Sequence, residues 1–416
     1  RKCKSEVELL AKFLEHWRND YPDIITGWNI RFFDIPYIVN RLARVGSDKA
    51  VKALSPWGLV SERQVSFKGR NMDAYELTGI GMMDYYDLFQ KWGYTYGPQE
   101  SYSLNHISSV VLGEKKMSYE EYGNLRTLYK ENHQLFIDYN IKDVELIERI
   151  DEKMDLITLG CTMAYKGGVN YQDAFGTTGI WDSIIYRELN RQNIVIPPNI
   201  RKTKSAYPGG YVKDPKIGKH NWVVSFDLNS LYPNLIVQYN MSPETLAHKQ
   251  LASGVDHYMD NATNEDRYAV AANGSTFKKQ EQGILPKIIV NYYAERKAVK
   301  NQMIEAERIQ QKNPTAENQR LIGQLHNKQM TIKILLNSLY GALGNQYFRY
   351  FDQSVAEGIT LSGQLAIKWA ERTINTEMNK ILKTDGEDYV LAIDTDSLYV
   401  DFGQFVETLK PEDPVK

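Results

Sequence analysis

The sequence has little cysteine, no long apolar run and almost no net charge. Its 416 residues include two cysteines, Cys3 and Cys161, too few for a disulfide framework, so a reducing compartment fits best. It contains no run of about 18 apolar residues and no apolar leader with a cleavage site, and we expect neither membrane insertion nor secretion. The formal net charge of −2 does not by itself indicate a nucleic-acid binder, so that function requires the basic residues to be concentrated along one channel.

Composition and patterning predict two or three domains with cores of their own, because 42% of the residues are hydrophobic and 25% are charged. Residues 1–150 alternate helical and strand-like stretches, as in an α/β domain, with Ser5–Trp17 as an amphipathic helix and Ile24–Trp28 as a strand. Helical patterning continues from Val144 to Asn190. The segment Pro197–Gly218 is rich in proline and glycine and is the best candidate for a linker.

The acidic turn Asp394-Thr395-Asp396-Ser397 lies between two apolar stretches, Tyr389–Ile393 and Leu398–Val400. Each stretch has strand character, so we predict a hairpin that presents two carboxylates at its tip. Two carboxylates at such a short distance repel each other, and a cation, most often a divalent metal, is needed to offset the repulsion. Taken alone, such a turn is more often a solvated loop, because Asp is a favoured turn residue.

A second acidic candidate ends the segment Trp222–Asp227, which reads as a buried strand. A carboxylate at the end of a buried strand is costly to desolvate unless it is paired or bound to a metal. Asp227 is therefore a second candidate metal ligand.

A polar stripe is predicted on the helix within residues 327–345. Lys333, Asn337 and Tyr340 recur at i, i+4 and i+7, so they share one face. The apolar residues fall mainly on the other side: Ile332, Leu335, Leu336, Leu339 and Leu343. A lysine, an amide and a phenol on one face have the chemistry to meet a phosphate, a sugar and a base.

These motifs carry a resemblance to a known family. Three segments, in the order DLNSLYP, KILLNSLYGALGN and DTDS, resemble the three polymerase motifs of the family B DNA polymerases. Their residues are most similar to those of the replicative enzymes of T-even-type bacteriophages. TGWNIRFFDIPYIVNRL and YNIKDVELI resemble the second and third motifs of that family's proofreading exonuclease domain. The resemblance runs from about residue 5 to residue 402.

The resemblance implies a multidomain α/β and α+β fold, with a partial RNase H-like 3′–5′ exonuclease domain followed by a polymerase palm and helical-hairpin fingers. The helical patterns Asn291–Gln311 and Ala316–Leu343, separated by Asn313-Pro314, correspond to the fingers. The implied divisions are the exonuclease domain at 1–150, a helical connection and linker at 151–218, the first part of the palm at 219–290, the fingers at 291–345 and the second part of the palm at 346–416, without a thumb.

The resemblance also implies the polymerase site. Asp227 and Asp396 match the two aspartates that bind two Mg²⁺ ions, for which Mn²⁺ is a substitute, and Asp394 matches a secondary aspartate beside them. Lys333 matches a triphosphate-binding residue and has the chemistry of a general acid. Arg296 and Lys300 match the other triphosphate-binding residues, although without the resemblance a solvated helix face is the preferred interpretation.

Further positions match residues around the incoming nucleotide and the DNA. Tyr232 corresponds to the steric gate that excludes a 2′ hydroxyl, so deoxynucleotides should be preferred. Tyr340, which by itself reads as a core aromatic, flanks the nascent base pair in the family. The other matches are Leu228, Ser230, Leu231 and Asn337 for the nucleotide, and Gly341 with the Tyr-x-Gly-Gly element Tyr207, Gly209 and Gly210 for DNA. An ordinary turn is an equally good interpretation of that element.

The exonuclease half is incomplete. Asp34, which we also expect to cap a helix, Tyr139 and Asp143 match exonuclease residues of the family, where they act with an Asp-x-Glu pair. That first motif is missing, since Glu6 and Glu8 read as surface residues of a helix. We interpret Asn29 and Asp84 as structural residues. Proofreading should therefore be weak or lost in this chain.

The predicted function is template-directed DNA synthesis in the cytoplasm of a bacterial host. The implied partners are primer–template DNA, deoxynucleoside triphosphates, a sliding clamp or other replisome proteins, and a second polymerase chain if one supplies the missing thumb. We expect either a fragment or one half of a naturally divided enzyme, and the sequence leaves both open. A nuclease-only protein and a non-catalytic DNA-binding subunit of a split replicase are the alternatives.

Overall fold

The computed structural model describes residues 3–67, 69–261, 263 and 265–410. The chain divides into two compact units, Arg1–Gly176 and Thr177–Lys416, and each of them combines helices with β-sheets. Among the described residues, no helix has the length and apolar character needed to span a membrane.

The first unit contains a two-stranded parallel sheet, β1–β4, and a long antiparallel hairpin, β2–β3. Its core is a cluster that includes Ile30, Val39, Leu42 and Leu77. Its elements are α1 (Glu6–Asn19), β1 (Ile24–Ile25), α2 (Asp34–Val45), α3 (Asp48–Lys52), β2 (Val60–Phe67), β3 (Arg70–Leu77), β4 (Gly81–Met82), α4 (Tyr85–Trp92), α5 (Leu104–Leu112), α6 (Leu125–Glu131), α7 (His133–Met154) and α8 (Leu156–Gly167).

The first helix confirms the prediction, but the strand that follows is shorter than expected. Ser5 caps α1, because its hydroxyl accepts a hydrogen bond from the Glu8 backbone N–H. Strand β1 ends at Ile25 rather than Trp28. Beyond Ile25 one more backbone hydrogen bond continues the pairing, from the Tyr85 N–H to the Gly27 carbonyl at 2.8 Å. The chain turns away at Asn29, which has a left-handed backbone, with φ of 65°, and donates its N–H to the Asp84 carboxylate at 2.8 Å.

The second unit is built on a four-stranded antiparallel sheet with the order β5-β10-β11-β6. Its elements are α9 (Thr177–Arg191), β5 (Val212–Lys213), β6 (Val223–Asp227), α10 (Leu231–Gln238), β7 (Leu246–Gln250), α11 (Val255–Asp260), β8 (Tyr268–Val270), β9 (Ser275–Lys278), α12 (Ile284–Lys312), α13 (Ala316–Leu343), α14 (Gln353–Leu382), β10 (Val390–Asp394), β11 (Ser397–Asp401) and α15 (Gly403–Leu409).

The two inner strands of this sheet each have buried residues, but the edge strand β6 has none. Ile393 and Val400 of the inner strands pack with Ile367 of α14 in one apolar cluster. All five residues of β6 are exposed, with Val223 at 45% and Phe226 at 43%. The prediction of a buried strand ending at Asp227 was therefore wrong: an apolar run is compatible with a strand, but the elements that cover it are not encoded in the run itself.

The predicted helical hairpin is present as α12 and α13. Thr315 caps α13 by accepting from the Asn318 N–H, immediately after Pro314, which suits the turn. The first helix begins at Ile284, earlier than its predicted start at Asn291.

Candidate functional site

The acidic turn lies beside Asp227. Strands β10 and β11 form the predicted hairpin, and Ser397 is opposite Asp394 on one side and Asp227 on the other. The Leu228 N–H donates to the Asp396 carbonyl at 2.7 Å, and the Thr395 N–H donates to the Tyr211 carbonyl at 2.9 Å. Asp227, at the end of β6, and Asp396, in the turn between β10 and β11, are therefore neighbours although they are far apart in the sequence.

The charges at this turn are uncompensated. Burial raises the pKa of the Asp396 carboxyl, and the negative charges of Asp227 and Asp394 raise it further. Within the part of the chain that the structure describes, no Lys, Arg or His lies within ion-pair distance of these three carboxylates. Neighbouring carboxylates with unopposed charge fit a divalent cation.

The donor set fits magnesium better than a metal that needs a full protein cage. Among the described residues, no group of three or more His, Cys, Asp or Glu side chains has the arrangement to hold a metal by itself. Magnesium keeps several waters and is commonly held by one or two carboxylates together with substrate phosphates. Asp227 and Asp396 match that requirement.

The Tyr-x-Gly-Gly element crosses the acidic turn. A Cβ at Gly210 would lie 2.6 Å from the Thr395 hydroxyl oxygen, so this close approach requires glycine. A Cβ at Gly209 would meet no atom within 4 Å, and the Gly209 carbonyl accepts from the Gln364 side chain at 2.6 Å. Gly210 therefore makes room for the turn, whereas Gly209 lies beside open space.

Tyr207, Tyr232 and Tyr340 form a tyrosine cluster. The rings of Tyr232 and Tyr340 have centroids 4.7 Å apart, and the hydroxyls of Tyr207 and Tyr340 are 3.4 Å apart. Burial raises the pKa of Tyr232, and the charge of Asp396 adds to this effect. The cluster thus joins α10, α13 and the linker near the acidic turn.

The turn that leads into α10 contains the other predicted nucleotide contacts. Ser230 adopts a left-handed backbone, with φ of 53°, which reverses the chain between β6 and α10. Leu231 is buried, and Leu228 packs against the apolar cluster of the sheet. These two leucines therefore pack in the apolar interior of the unit, independently of any contact with a nucleotide.

The polar stripe on α13 is confirmed as an amphipathic pattern. Lys333, Asn337 and Gly341 are exposed and Tyr340 is half-buried. The five apolar residues predicted for the opposite side are all buried: Ile332, Leu335, Leu336, Leu339 and Leu343. Helical periodicity was sufficient to predict which of these residues are exposed and which are buried.

Arg296 and Lys300 differ in their surroundings on α12. Lys300 is exposed, whereas Arg296 is half-buried. The Arg296 Nε is buried, and among the described residues it has no hydrogen-bond partner. Such an unsatisfied donor is uncommon in a folded protein and is consistent with a missing acceptor, such as a phosphate.

In the first unit, two of the three predicted exonuclease residues are together. Tyr139 and Asp143 share one face of α7, where Lys116 Nζ lies 2.7 Å from Asp143 Oδ2 and 5.5 Å from the centre of the Tyr139 ring. Asp143 Oδ1 is buried, and no described residue bonds to it. Sequence reasoning missed Lys116, because it is far from both residues along the chain and belongs to no local pattern with them.

Asp34 is not a helix cap. It is the first residue of α2, the N-cap position is Phe33, and no side chain makes a capping bond. The prediction was wrong because the helix begins one residue earlier than a cap at Asp34 requires. Among the described residues, no hydrogen bond, ion pair or ring contact joins Asp34 to Tyr139 or Asp143.

The residues interpreted as structural have structural partners. Glu6 pairs with Arg41, and Glu8 pairs with Lys12 at 2.7 Å on the surface of α1. The buried Asp84 carboxylate accepts from three backbone N–H groups: Asn29 at 2.8 Å, Arg31 at 3.0 Å and Tyr86 at 3.0 Å. Burial raises its pKa to about 6 despite these bonds.

An ion network supports the strand beside the acidic turn. Lys213 of β5 lies 2.6 Å from Glu371 of α14 and 2.7 Å from Asp388, and Asn375 donates to Asp388 at 2.8 Å. Burial would raise the pKa of Asp388, but the hydrogen bonds from Lys213, Asn375 and Lys216 outweigh it and lower the pKa to about 2. The network fixes β5, next to the Tyr211 carbonyl that holds Thr395.

We expect Asp388→Asn to lower the free energy of unfolding at pH 7 by on the order of 1 kcal/mol, a figure reduced for solvent screening. Because the pKa is lowered in the folded state, this stabilisation is present above pH about 4 and is lost as the pH falls toward about 2. Thermal unfolding from pH 7 to pH 2 measures it. Asp385→Asn, at an exposed position of the same loop, is the control, and an equal loss from both variants would contradict the prediction.

Comparisons with known proteins agree with these observations. Residues 178–409 match the sequence model of DNA polymerase family B, and residues 1–107 match that of the DNA polymerase family B exonuclease domain. The DNA-directed DNA polymerase of Escherichia phage RB69 is 35% identical over 97% of this chain and 49% of its own length. That of Enterobacteria phage T4 is 32% identical over 97% and 49%, respectively. The DNA polymerase delta catalytic subunit of Caenorhabditis elegans is 29% identical over 98% and 37%.

The chain thus spans about half the length of the phage relatives that it matches. The match to the polymerase domain alone covers more than half of the chain, from residue 178 to residue 409. Together with the order of the polymerase motifs, these findings establish that the chain belongs to DNA polymerase family B and contains both an exonuclease domain and a polymerase domain.

Proposed function

We propose that this chain carries the catalytic site for template-directed DNA synthesis, in which deoxynucleotides are added to the 3′ hydroxyl of a primer. The observation that carries the proposal is that Asp227, at the end of β6, lies beside the turn that contains Asp396, with no described basic side chain to neutralise them. The sheet β5-β10-β11-β6 with α14 would form the palm, and the α12–α13 hairpin would form the fingers.

Asp227 and Asp396 would hold the metal ions, with Asp394 beside them in a secondary role. When bound, two Mg²⁺ ions, or Mn²⁺ in their place, stabilise charge on the attacking and leaving oxygens of a phosphoryl transfer. The contribution of the chain is to hold the carboxylates in place, and the hairpin register and the Tyr211–Thr395 hydrogen bond do so.

The basic residues of the fingers would bind the triphosphate. Arg296 supplies a forked guanidinium with a buried, unpartnered Nε, and Lys300 and Lys333 supply exposed ammonium groups. Charge-assisted hydrogen bonds of this kind are about twice as strong as neutral ones. Lys333 would also donate a proton to the leaving group as general acid.

The tyrosine cluster would select the sugar and flank the new base pair. Tyr232 would exclude a 2′ hydroxyl, with Leu228, Ser230 and Leu231 lining the same turn. Asn337, Tyr340 and Gly341 would lie along the base pair. Tyr207, Gly209 and Gly210 would touch the template strand, and the open space beside Gly209 supports such an approach.

The first unit would form a partial RNase H-like exonuclease domain. Tyr139 and Asp143 are arranged on one face of α7, which supports a nuclease role, but Asp143 is already paired with Lys116. Among the described residues, no strand carries an Asp-x-Glu pair. We therefore propose that hydrolysis is weak in this chain. The proposed divisions remain 1–150, 151–218, 219–290, 291–345 and 346–416.

The proposed partners are primer–template DNA and deoxynucleoside triphosphates, in the cytoplasm of a phage-infected bacterium. A sliding clamp, and a second chain if one supplies a thumb, belong to the same proposal. The activity for which the phage relatives are named, DNA-directed DNA polymerase, supports it.

A labelled primer annealed to a template, incubated with Mg²⁺ and the full-length gene product, tests the proposal against its alternatives. We expect extension with deoxynucleotides that is lost in Asp227→Ala and kept in Asp143→Ala. Shortening of the primer that survives Asp227→Ala but stops in Asp143→Ala, without any extension, would instead indicate a nuclease. DNA binding with neither reaction would indicate a non-catalytic subunit.

A further inference from the structure

Gly363 is buried in the interior of α14, a helix of 30 residues. Glycine in a helix interior is less favourable than alanine by about 1 kcal/mol. Its backbone here is ordinary helix, since it is not among the glycines with positive φ. A reason other than backbone conformation is therefore needed for glycine at this position.

The space around Gly363 supplies that reason. A Cβ at this position would lie 2.9 Å from Tyr232 Cε1, 3.5 Å from Tyr232 Cδ1 and 3.5 Å from Leu231 Cδ2. Carbon atoms normally approach no closer than about 3.5 Å. A methyl group at 363 and the present position of the Tyr232 ring are therefore incompatible.

The ring has little freedom to move toward the other members of the tyrosine cluster. Tyr340 lies 4.7 Å away, between ring centroids, and its hydroxyl is 3.4 Å from that of Tyr207. Tyr207 in turn lies against the end of α13: its hydroxyl oxygen is so near Gly344 that a Cβ there would be only 2.9 Å away. A methyl group at 363 would thus displace the Tyr232 ring away from α14, toward its partly exposed side.

We propose that Gly363 is a positioning residue that sets how far the Tyr232 ring projects from α14 and thereby determines the space left for the sugar of the incoming nucleotide. This inference rests on the proposed function, in which Tyr232 faces that sugar. Gly363 itself touches no substrate and acts only through the tyrosine.

Single-nucleotide incorporation by the full-length gene product tests the inference. We expect Gly363→Ala to raise KM for a deoxynucleotide about tenfold while kcat changes less than about threefold. Ribonucleotides should be rejected at least as strongly as in the unaltered protein. In a Tyr232→Ala background, Gly363→Ala should have no further effect on KM, because the clashing ring is gone.

Gly358→Ala is the matched control on the same helix. An added Cβ at 358 would meet Asn273 Oδ1 at 3.2 Å and Ala271 Cβ at 3.3 Å, not a tyrosine, so it should change thermal stability without changing KM. If Gly363→Ala does not fold, recovery of folding in the Gly363→Ala/Tyr232→Ala double variant would support the contact, and failure to recover would overturn it.

Three other results would also overturn the inference. An unchanged KM in Gly363→Ala is one, and an equal rise in KM in the Tyr232→Ala background is another. The third is normal extension by Tyr232→Ala with unchanged rejection of ribonucleotides, which would remove Tyr232 from sugar selection. Loss of the proposed function is distinguishable from all three, because the unaltered protein would then fail to extend a primer at all.

Discussion

We expect Asp396→Ala to lower Mg²⁺-dependent primer extension by at least about a thousandfold, because interactions that stabilise developing charge usually contribute more to catalysis than any other effect. Asp396 lies beside Asp227, because the next residue, Ser397, pairs with Asp227 across the two strands. Removing one of them would leave too few hard oxygen ligands for the two proposed ions. Steady-state extension of a labelled primer by the full-length gene product measures the loss.

Folding should survive the Asp396→Ala change. The side chain of Asp396 is at the tip of a hairpin, where burial and then the negative charges of Asp227 and Asp394 raise its pKa, so its removal relieves a desolvation cost and a repulsion. Thermal unfolding should therefore give an equal or higher Tm at pH 7. Asp401→Ala, at the far end of β11, removes the contacts with His220 and the Gly403 N–H and should lower Tm while extension continues. Retained extension in Asp396→Ala would count against the assignment.

Replacing Lys333 with alanine should lower kcat/KM for deoxynucleotides about a hundredfold. The ammonium group lies on the exposed stripe of α13, and among the described residues it has no ion-pair partner. It is therefore available to a triphosphate. If it also protonates the leaving group, kcat should fall by more than KM rises.

Lys328→Ala is the control for this prediction. Lys328 is exposed on another side of the same helix, 4.0 Å from Glu295, and its loss removes the same charge without approaching the stripe. We expect kcat/KM to stay within about threefold of the unaltered value. Equal losses from Lys328→Ala and Lys333→Ala would show a general effect of charge rather than a specific contact.

Features that depend on local pattern could be predicted from the sequence. The hairpin around the acidic turn follows from two short apolar stretches and a polar pair, and the exposed stripe on α13 follows from helical periodicity. Both predictions concern residues that are close along the chain, because turn formation and helical periodicity depend on interactions between residues a few positions apart.

Features that depend on distant partners could not be predicted. The exposure of β6 depends on its place at the edge of a sheet, and the pairing of Lys116 with Asp143 joins residues with no common pattern. The missing cap at Asp34 was a boundary error of one residue, the least certain part of helix prediction. For Gly363, a glycine within a helical pattern was the only available signal, and it did not identify the neighbouring tyrosine.

The exposed edge of β6 favours self-association of the chain in solution. Its outer N–H and C=O groups have no strand beside them among the described residues, and apolar side chains stand on both of its faces. Such edges recruit other extended chains, and β6 lacks the lysine, proline or bulge that often discourages this. Self-association that increases with protein concentration would hide the carboxylate of Asp227 at its end, so dilute samples are the appropriate ones for measuring metal affinity.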